Sequence, residues 1–354
     1  MADFSLTRLM IRAALALPTP ILRAFSGGAA EVRGGRTLDP RFQFLFHAAP
    51  PSLSRSPGEV EDERIAAARG VALMTALAEP GVITEDLSIE GPGGDLPVRI
   101  YRSSRVDPQA PMMVYAHGGG GVVGDLETSH AVCSLIAAIS RGPVLSVAYR
   151  LAPEHRFPAG LEDMAAAWRW ACDNAERYGA RPGTAAVGGD SAGANFAAVL
   201  CQEMKRVGAR QPALQLLICA PLNLASEAPS MALYGDGTFV TRARIQWARD
   251  HYLGAQADPA DPRLSPALSE DLAGLAPAVI AAAGFDPVVD HGEAYARALK
   301  AAGVPVTYRC YDSLPHGFTA FGGVVPAAQA AMRQIAGLVR EGYENLDPSS
   351  RTSA

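Results

Sequence analysis

From residue 111 onward the chain alternates short, apolar, β-rich runs with segments long enough for a helix, and this alternation restricts the fold more than any other feature. The runs are 111–116 (PMMVYA), 143–149 (PVLSVAY), 184–189 (TAAVGG), 213–219 (ALQLLIC), 277–283 (PAVIAAA) and 306–311 (VTYRCY). Several are almost continuously apolar, as strands covered on both faces are. Between them lie helical patterns such as EDMAAAWRWACDNAERY and EAYARALKAAG, the second closed by Gly303. Strand and helix in turn imply an α/β chain with a mostly parallel, doubly wound sheet flanked by helices. A site on such a sheet lies at the carboxyl ends of its strands.

Two regions stand outside this rhythm. Residues 1–80 read as helical, with Phe42, Leu45 and Phe46 at helical spacing and GEVEDERIAAARGVALMTALA running to a Pro-Gly stop at 80 and 81. The first stretch, SLTRLMIRAALALPTPILRAF, is broken by Arg8, Arg12, Arg23, Pro18 and Pro20. A membrane span needs about twenty predominantly apolar residues, so no integral span is expected there. As a secretory signal it has a weak basic start, because Asp3 offsets Arg8. The expected form is an amphipathic helix lying over the body of the molecule, with peripheral membrane contact left open. After it, Leu87, Ile89, Val98 and Ile100 alternate with polar residues around GPGGD, the pattern of a β-hairpin. The second region, 222–275, interrupts the strand rhythm with a helix-like FVTRARIQWARDHYLG and reads as another cap element. The expected organisation is a helical cap or lid at 1–80, an α/β domain at 81–345 with an insertion at 222–275, and a flexible tail at 346–354.

Composition narrows the partners. A net charge of −5 without a basic run or aromatic-basic interleaving leaves no footprint for nucleic acid. Cys133, Cys172, Cys201, Cys219 and Cys310 are odd in number and sit mostly in apolar surroundings. They read as free thiols in a reducing compartment, and a cytoplasmic location is expected. With no CxxC pair and no ligand cluster at metal spacing, neither a metal nor another cofactor is expected. The sequence leaves homo-oligomerisation open.

The chemistry lies in the turns that follow the strands. Gly189-Asp190-Ser191-Ala192-Gly193 sits between a strand and a helix, where a sharp turn lifts the serine hydroxyl out of the sheet. GxSxG alone is a weak pattern; its context carries the weight. His117-Gly118-Gly119-Gly120 follows the strand at 111–116, and such a string should occur by chance in under about one chain in a hundred. Glycines there let backbone N–H groups converge on a point, as an oxyanion hole requires, and the lysine of a phosphate-binding loop is missing. A serine nucleophile needs a base, and of seven histidines His316, in LPHGF after the last strand, is the candidate. Asp286, at the end of the strand in PAVIAAAGF, is the carboxylate that would orient it. Asp290 is the rival, but with Glu293 it has the spacing of a capping box, which gives Asp290 and His291 a structural role. The order Ser, Asp, His is that of the α/β-hydrolase fold.

HGGGGVVGD, YRLAPEHRFPA, GDSAGAN, DPRLSP, FDPVVDHGEAYA and PHGF together resemble the bacterial hormone-sensitive-lipase-like esterases, across roughly residues 80–340. The resemblance implies a serine carboxylesterase of the α/β-hydrolase fold with a helical cap, acting on short to medium acyl esters without a cofactor. It also implies an oxyanion hole from Gly118, Gly119 and Ala192. Gly121 stands where the family usually has a large aromatic, and the first thirty or so residues exceed the common N-terminus. Gly121, Asp190, Phe42 and Phe46 are assigned to the substrate pocket, with the two phenylalanines as candidates for the volume over Gly121. Two rival readings are a non-catalytic receptor on the same scaffold and another triad enzyme, such as an amidase, lactonase or hydroxynitrile lyase.

Overall fold

The computed structural model describes residues 4–48, 57–236, 240–254 and 257–346. Ahead of the main sheet come α1 (Phe4–Leu15), α2 (Thr19–Ala24), a short antiparallel pair β1 (Val32–Arg33) and β2 (Arg36–Thr37), α3 (Pro40–Ala48) and α4 (Val60–Met74). The expected hairpin is β3 (Val82–Gly91) and β4 (Gly94–Ser103). The alternating region then gives β5 (Met112–Ala116), α5 (His130–Ser140), β6 (Val144–Val147), α6 (Ala159–Asn174), β7 (Ala185–Asp190), α7 (Ala192–Arg206) and β8 (Gln215–Ile218). The insertion holds α8 (Pro229–Tyr234) and α9 (Arg242–Leu253), after which β9 (Ala278–Phe285), α10 (Val289–Ala301), β10 (Val306–Pro315) and α11 (Pro326–Glu344) complete the domain.

The eight strands run in the order β10-β9-β8-β7-β5-β6-β4-β3. β4 pairs antiparallel with β3 and β6, and every other pair is parallel. This is the α/β-hydrolase sheet, and its strands match their environments. β5 and β9 are buried along their whole length, which is why their sequences are apolar without alternation. β4, near the edge, alternates between buried and exposed positions over its first residues. Ala167, Trp168, Phe196, Leu200 and Leu299 from α6, α7 and α10 pack one face, and Leu135, Ile136, Ile335 and Val339 from α5 and α11 pack the other.

The N-terminal segment differs from a simple helical lid. Its short β1–β2 pair was not foreseen, α4 stops at Met74 well before Pro80, and Leu15, Leu38 and Phe42 belong to the core on the α11 face. Among the described residues, no helix is long and apolar enough to cross a membrane. Residues 347–354, most of the expected tail, lie outside the described residues.

In-register pairing puts the carboxyl ends of neighbouring strands together. Ala116 lies beside Gly189, Asp190 beside Ile218, and Phe285 beside Pro315. The loops that leave these ends carry the glycine string, the serine, the aspartate and the histidine.

Candidate active site

Ser191 joins β7 to α7 with φ +52° and ψ −120°, a conformation that costs on the order of 1–3 kcal/mol in a non-glycine residue and must be held by its surroundings. Its N–H donates to the Ile218 carbonyl at 2.8 Å. The flanking glycines are required by contact as well as by the turn. A Cβ on Gly189 would lie 2.4 Å from the Gly193 carbonyl carbon, and one on Gly193 would lie 2.0 Å from the Ala116 oxygen. Strand β5 and the start of α7 therefore press together around the serine.

His316 enters from the loop after β10, its N–H bonded to the Phe285 carbonyl at 3.2 Å. Its Nε2 is 2.9 Å from Ser191 Oγ, and its Nδ1 is 2.7 Å from Asp286 Oδ2. The other carboxylate oxygen of Asp286 accepts the Val288 N–H at 2.8 Å. Asp286 and His316 are buried, so the pair is shielded from water. Burial alone pushes the imidazole pKa down, but the charge and hydrogen bond of Asp286, with Asp190 further off, outweigh it and leave His316 raised above its ordinary value. Asp290 and His291 hold the insertion instead. Asp290 Oδ2 accepts the Ser230 N–H at 2.8 Å, and His291 Nδ1 accepts that of Leu222 at 3.2 Å. Asp290 lies inside α10, whose N-cap is Val288, so the capping box expected with Glu293 is replaced by a tie to α8.

The glycine loop is folded by three consecutive residues at positive φ, Gly119, Gly120 and Gly121. Gly118 is the exception. It is buried, and its N–H donates to Asp190 Oδ1 at 3.1 Å. That amide is engaged, so of the expected oxyanion donors Gly118, Gly119 and Ala192 the first is committed to Asp190. Gly119 and Gly120 are partly open to the cleft. His117 braces the loop from beneath, its Nδ1 donating to the Gly118 carbonyl at 2.7 Å and its ring stacked on Tyr149 at 4.4 Å. Burial pushes His117 down, so it stays neutral.

The residues assigned to the pocket have other tasks. Asp190 accepts from Tyr115 Oη at 2.9 Å as well as from Gly118, and Thr319 reaches its second oxygen at 3.4 Å. It is a strut between the serine turn and the glycine loop, and desolvation pushes its pKa up despite these bonds. Phe42 is wholly buried, edge-on to Phe321 at 5.1 Å, and Phe46 lies 5.9 Å from Phe42. Phe42 thus packs on the loop after His316, and Phe46 packs on Phe42. The volume over Gly121 belongs to Tyr252 of α9, whose Cδ2 would be 2.8 Å from a Cβ there. Ala248, one turn earlier, would be 2.5 Å from a Cβ on Gly120. Sequence reasoning missed Tyr252; Ala248 and Tyr252, four apart on one helix face, were the available signal. It also missed Arg64, which crosses from α4 to donate to the Val122 carbonyl at 3.0 Å and so ties the N-terminal segment to the glycine loop.

One further side chain stands close. Cys219 Sγ lies with the Asp286 and His316 donors within 4.8 Å, the one group of metal-ligand type among the described residues. Burial, then the charges of Asp286 and Asp190, hold its thiol well above the ordinary range. Asp286 and His316 already bind each other, and the second Asp286 oxygen holds the Val288 N–H, so this donor set does not fit a metal.

Sheet, strand-end loops and serine turn define the class, an α/β hydrolase. Residues 113–320 match a family model described as the alpha/beta hydrolase fold. Carboxylic ester hydrolase LipN of Mycobacterium tuberculosis is 44% identical over 312 residues, covering 85% of this chain and 82% of that one. Ethyl acetate hydrolase of Pseudomonas putida is 34% identical over 78% of this chain and 88% of its own. Among solved structures, the hyperthermophilic esterase of Pyrobaculum calidifontis superposes with a TM-score of 0.79 at 33% identity, covering 88% of this chain and 99% of that one. An ester-hydrolase from the metagenome of Lake Arreo, complexed with a derivative of bipyridine phosphonate, gives 0.81 at 34%, covering 87% and 99%. The chain belongs to the hormone-sensitive-lipase-like esterases of the α/β-hydrolase superfamily.

Proposed function

We propose that this chain hydrolyses carboxylic esters through an acyl-enzyme on Ser191, with His316 as base and Asp286 as its orienting carboxylate. The observation that carries this reading is the unbroken line from Ser191 Oγ to His316 at 2.9 Å and from His316 to Asp286 at 2.7 Å. As Ser191 attacks the ester carbonyl, His316 Nε2 takes its proton, and the buried Asp286 stabilises the imidazolium. The amides of Gly119, Gly120 and Ala192 receive the oxyanion, a function worth about 2.7–4 kcal/mol for each donor in other serine hydrolases. His316 then gives the proton to the departing alcohol, and water activated at the same nitrogen releases the acid and frees Ser191.

Short to medium acyl groups fit best, because Tyr252 fills the space that Gly121 leaves. Ethyl acetate hydrolysis, named for one relative, is consistent with that size. The free cysteines support a reducing, cytoplasmic setting. A chain-length series of chromogenic esters tests the proposal, with Ser191→Ala as control. Turnover should be greatest on short to medium chains and fall by about 10³-fold or more in the control. Retention of a tenth of the activity by Ser191→Ala would refute it.

A further inference from the structure

α1 presents its apolar side to solvent. Its inner face is settled on the body: Leu15 is buried, and the Arg8 guanidinium donates to the Thr75 carbonyl. The opposite face carries Leu6, Leu9 and Met10, with Leu9 63% and Met10 65% exposed. In the segment that follows, Leu17, Ile21 and Phe25 are exposed as well, Phe25 at 71%. Ile11 and Leu15 pack on the body, whereas Leu6, Leu9 and Met10 are turned outward, where a helix normally carries polar residues.

Charge selects the occupant. Residues 4–30 contain Arg8, Arg12 and Arg23 and no acidic residue, within a chain of net charge −5. Arg12 is exposed on α1 and no acidic residue lies in that helix's first turn. A second copy docking through the same patch would bring two exposed Arg12 side chains toward one another in a self-facing interface. An anionic surface with an apolar interior accepts both features, the exposed Arg12 at the headgroups and the apolar face beneath it.

We infer that α1 and the turn after it dock the protein on an anionic phospholipid bilayer, with Leu6, Leu9, Met10, Leu17, Ile21 and Phe25 entering the headgroup boundary. The same N-terminal segment packs Phe42 against Phe321, in the loop that follows His316, which joins the docking segment to the body that carries the ester site. The inference concerns binding and does not depend on the triad assignment.

Cosedimentation of the full chain with vesicles of equal parts phosphatidylcholine and phosphatidylglycerol tests it, against phosphatidylcholine alone and at low and high salt. The wild type should pellet with the anionic vesicles and be released by salt. Leu9→Asp combined with Phe25→Asp should weaken binding at least about tenfold, and Arg12→Glu should weaken it and blunt its salt dependence. These positions are exposed, so hydrolysis of a water-soluble ester should be unchanged, which verifies that the variants fold. Three results would overturn the inference: no pelleting of the wild type, equal pelleting on phosphatidylcholine alone, or a wild-type dimer that the double variant makes monomeric.

Discussion

At the scale of residues, the account rests on the state of His316. The imidazole must be neutral to accept the serine proton, and Asp286 raises its pKa against the downward pull of burial. kcat/KM should therefore fall as pH drops through a midpoint above the ordinary histidine value of about 6.5. In Asp286→Asn that midpoint should move down and the plateau should drop sharply; an unmoved midpoint would detach Asp286 from His316. The same raised value fixes the sign for stability: the pair's contribution is full below the ordinary pKa and fades as pH rises through the folded-state value. Asp290→Ala should cost about 1 kcal/mol through the lost Ser230 bond and leave the pH profile in place, which a thermal melt and a rate profile would check. Ser191, His316 and Asp286 were legible because each follows a strand of recognisable pattern. The commitment of the Gly118 amide to Asp190 was not, because it depends on a side chain 72 residues away.

At the scale of elements, α9 and the glycine loop form one unit. Ala248 and Tyr252 sit directly on Gly120 and Gly121, and Tyr252 also meets Phe196 of α7 at 5.8 Å and Phe157 at 6.1 Å. The bare glycines make room for a cap helix, and the aromatic expected from the loop is supplied from across the cleft. Tyr252→Ala should cost about 3–5 kcal/mol of stability. It should also raise the relative kcat/KM for a tertiary-alcohol ester over an ethyl ester, by an amount on the order of 1–3 kcal/mol per methylene accommodated. Equal loss on both substrates would mean that Tyr252 only supports the loop. Gly121→Trp should disrupt the loop rather than trim the pocket, since φ is +73° and Tyr252 occupies the space. The strands were legible to within a few residues because burial on both faces leaves a local mark. The contact of α9 with the loop leaves only the four-residue spacing of Ala248 and Tyr252, since its partners are separated by more than a hundred residues and one partner has no side chain.

At the scale of the whole molecule, the mostly parallel, doubly wound sheet was legible in the alternation of strand and helix, whereas the place of the N-terminal segment was not. Leu15, Leu38 and Phe42 serve the main core, and Arg64 reaches the glycine loop, so the described N-terminal residues are part of the fold. Removing residues 1–48 should lower the melting temperature and the solubility of the remainder, because the α11 face loses its covering side chains. An equally stable truncated chain would restore the simpler picture of a detachable lid. The most direct test of Ser191 chemistry uses the intact mass of the whole protein after brief exposure to a chromogenic acetate at low pH, where deacylation is slow. The expected result is a single acetyl adduct that maps to Ser191, forms far more slowly in His316→Ala, and is missing in Ser191→Ala. An adduct on another residue, or an undiminished adduct in Ser191→Ala, would contradict the assignment of Ser191 as nucleophile.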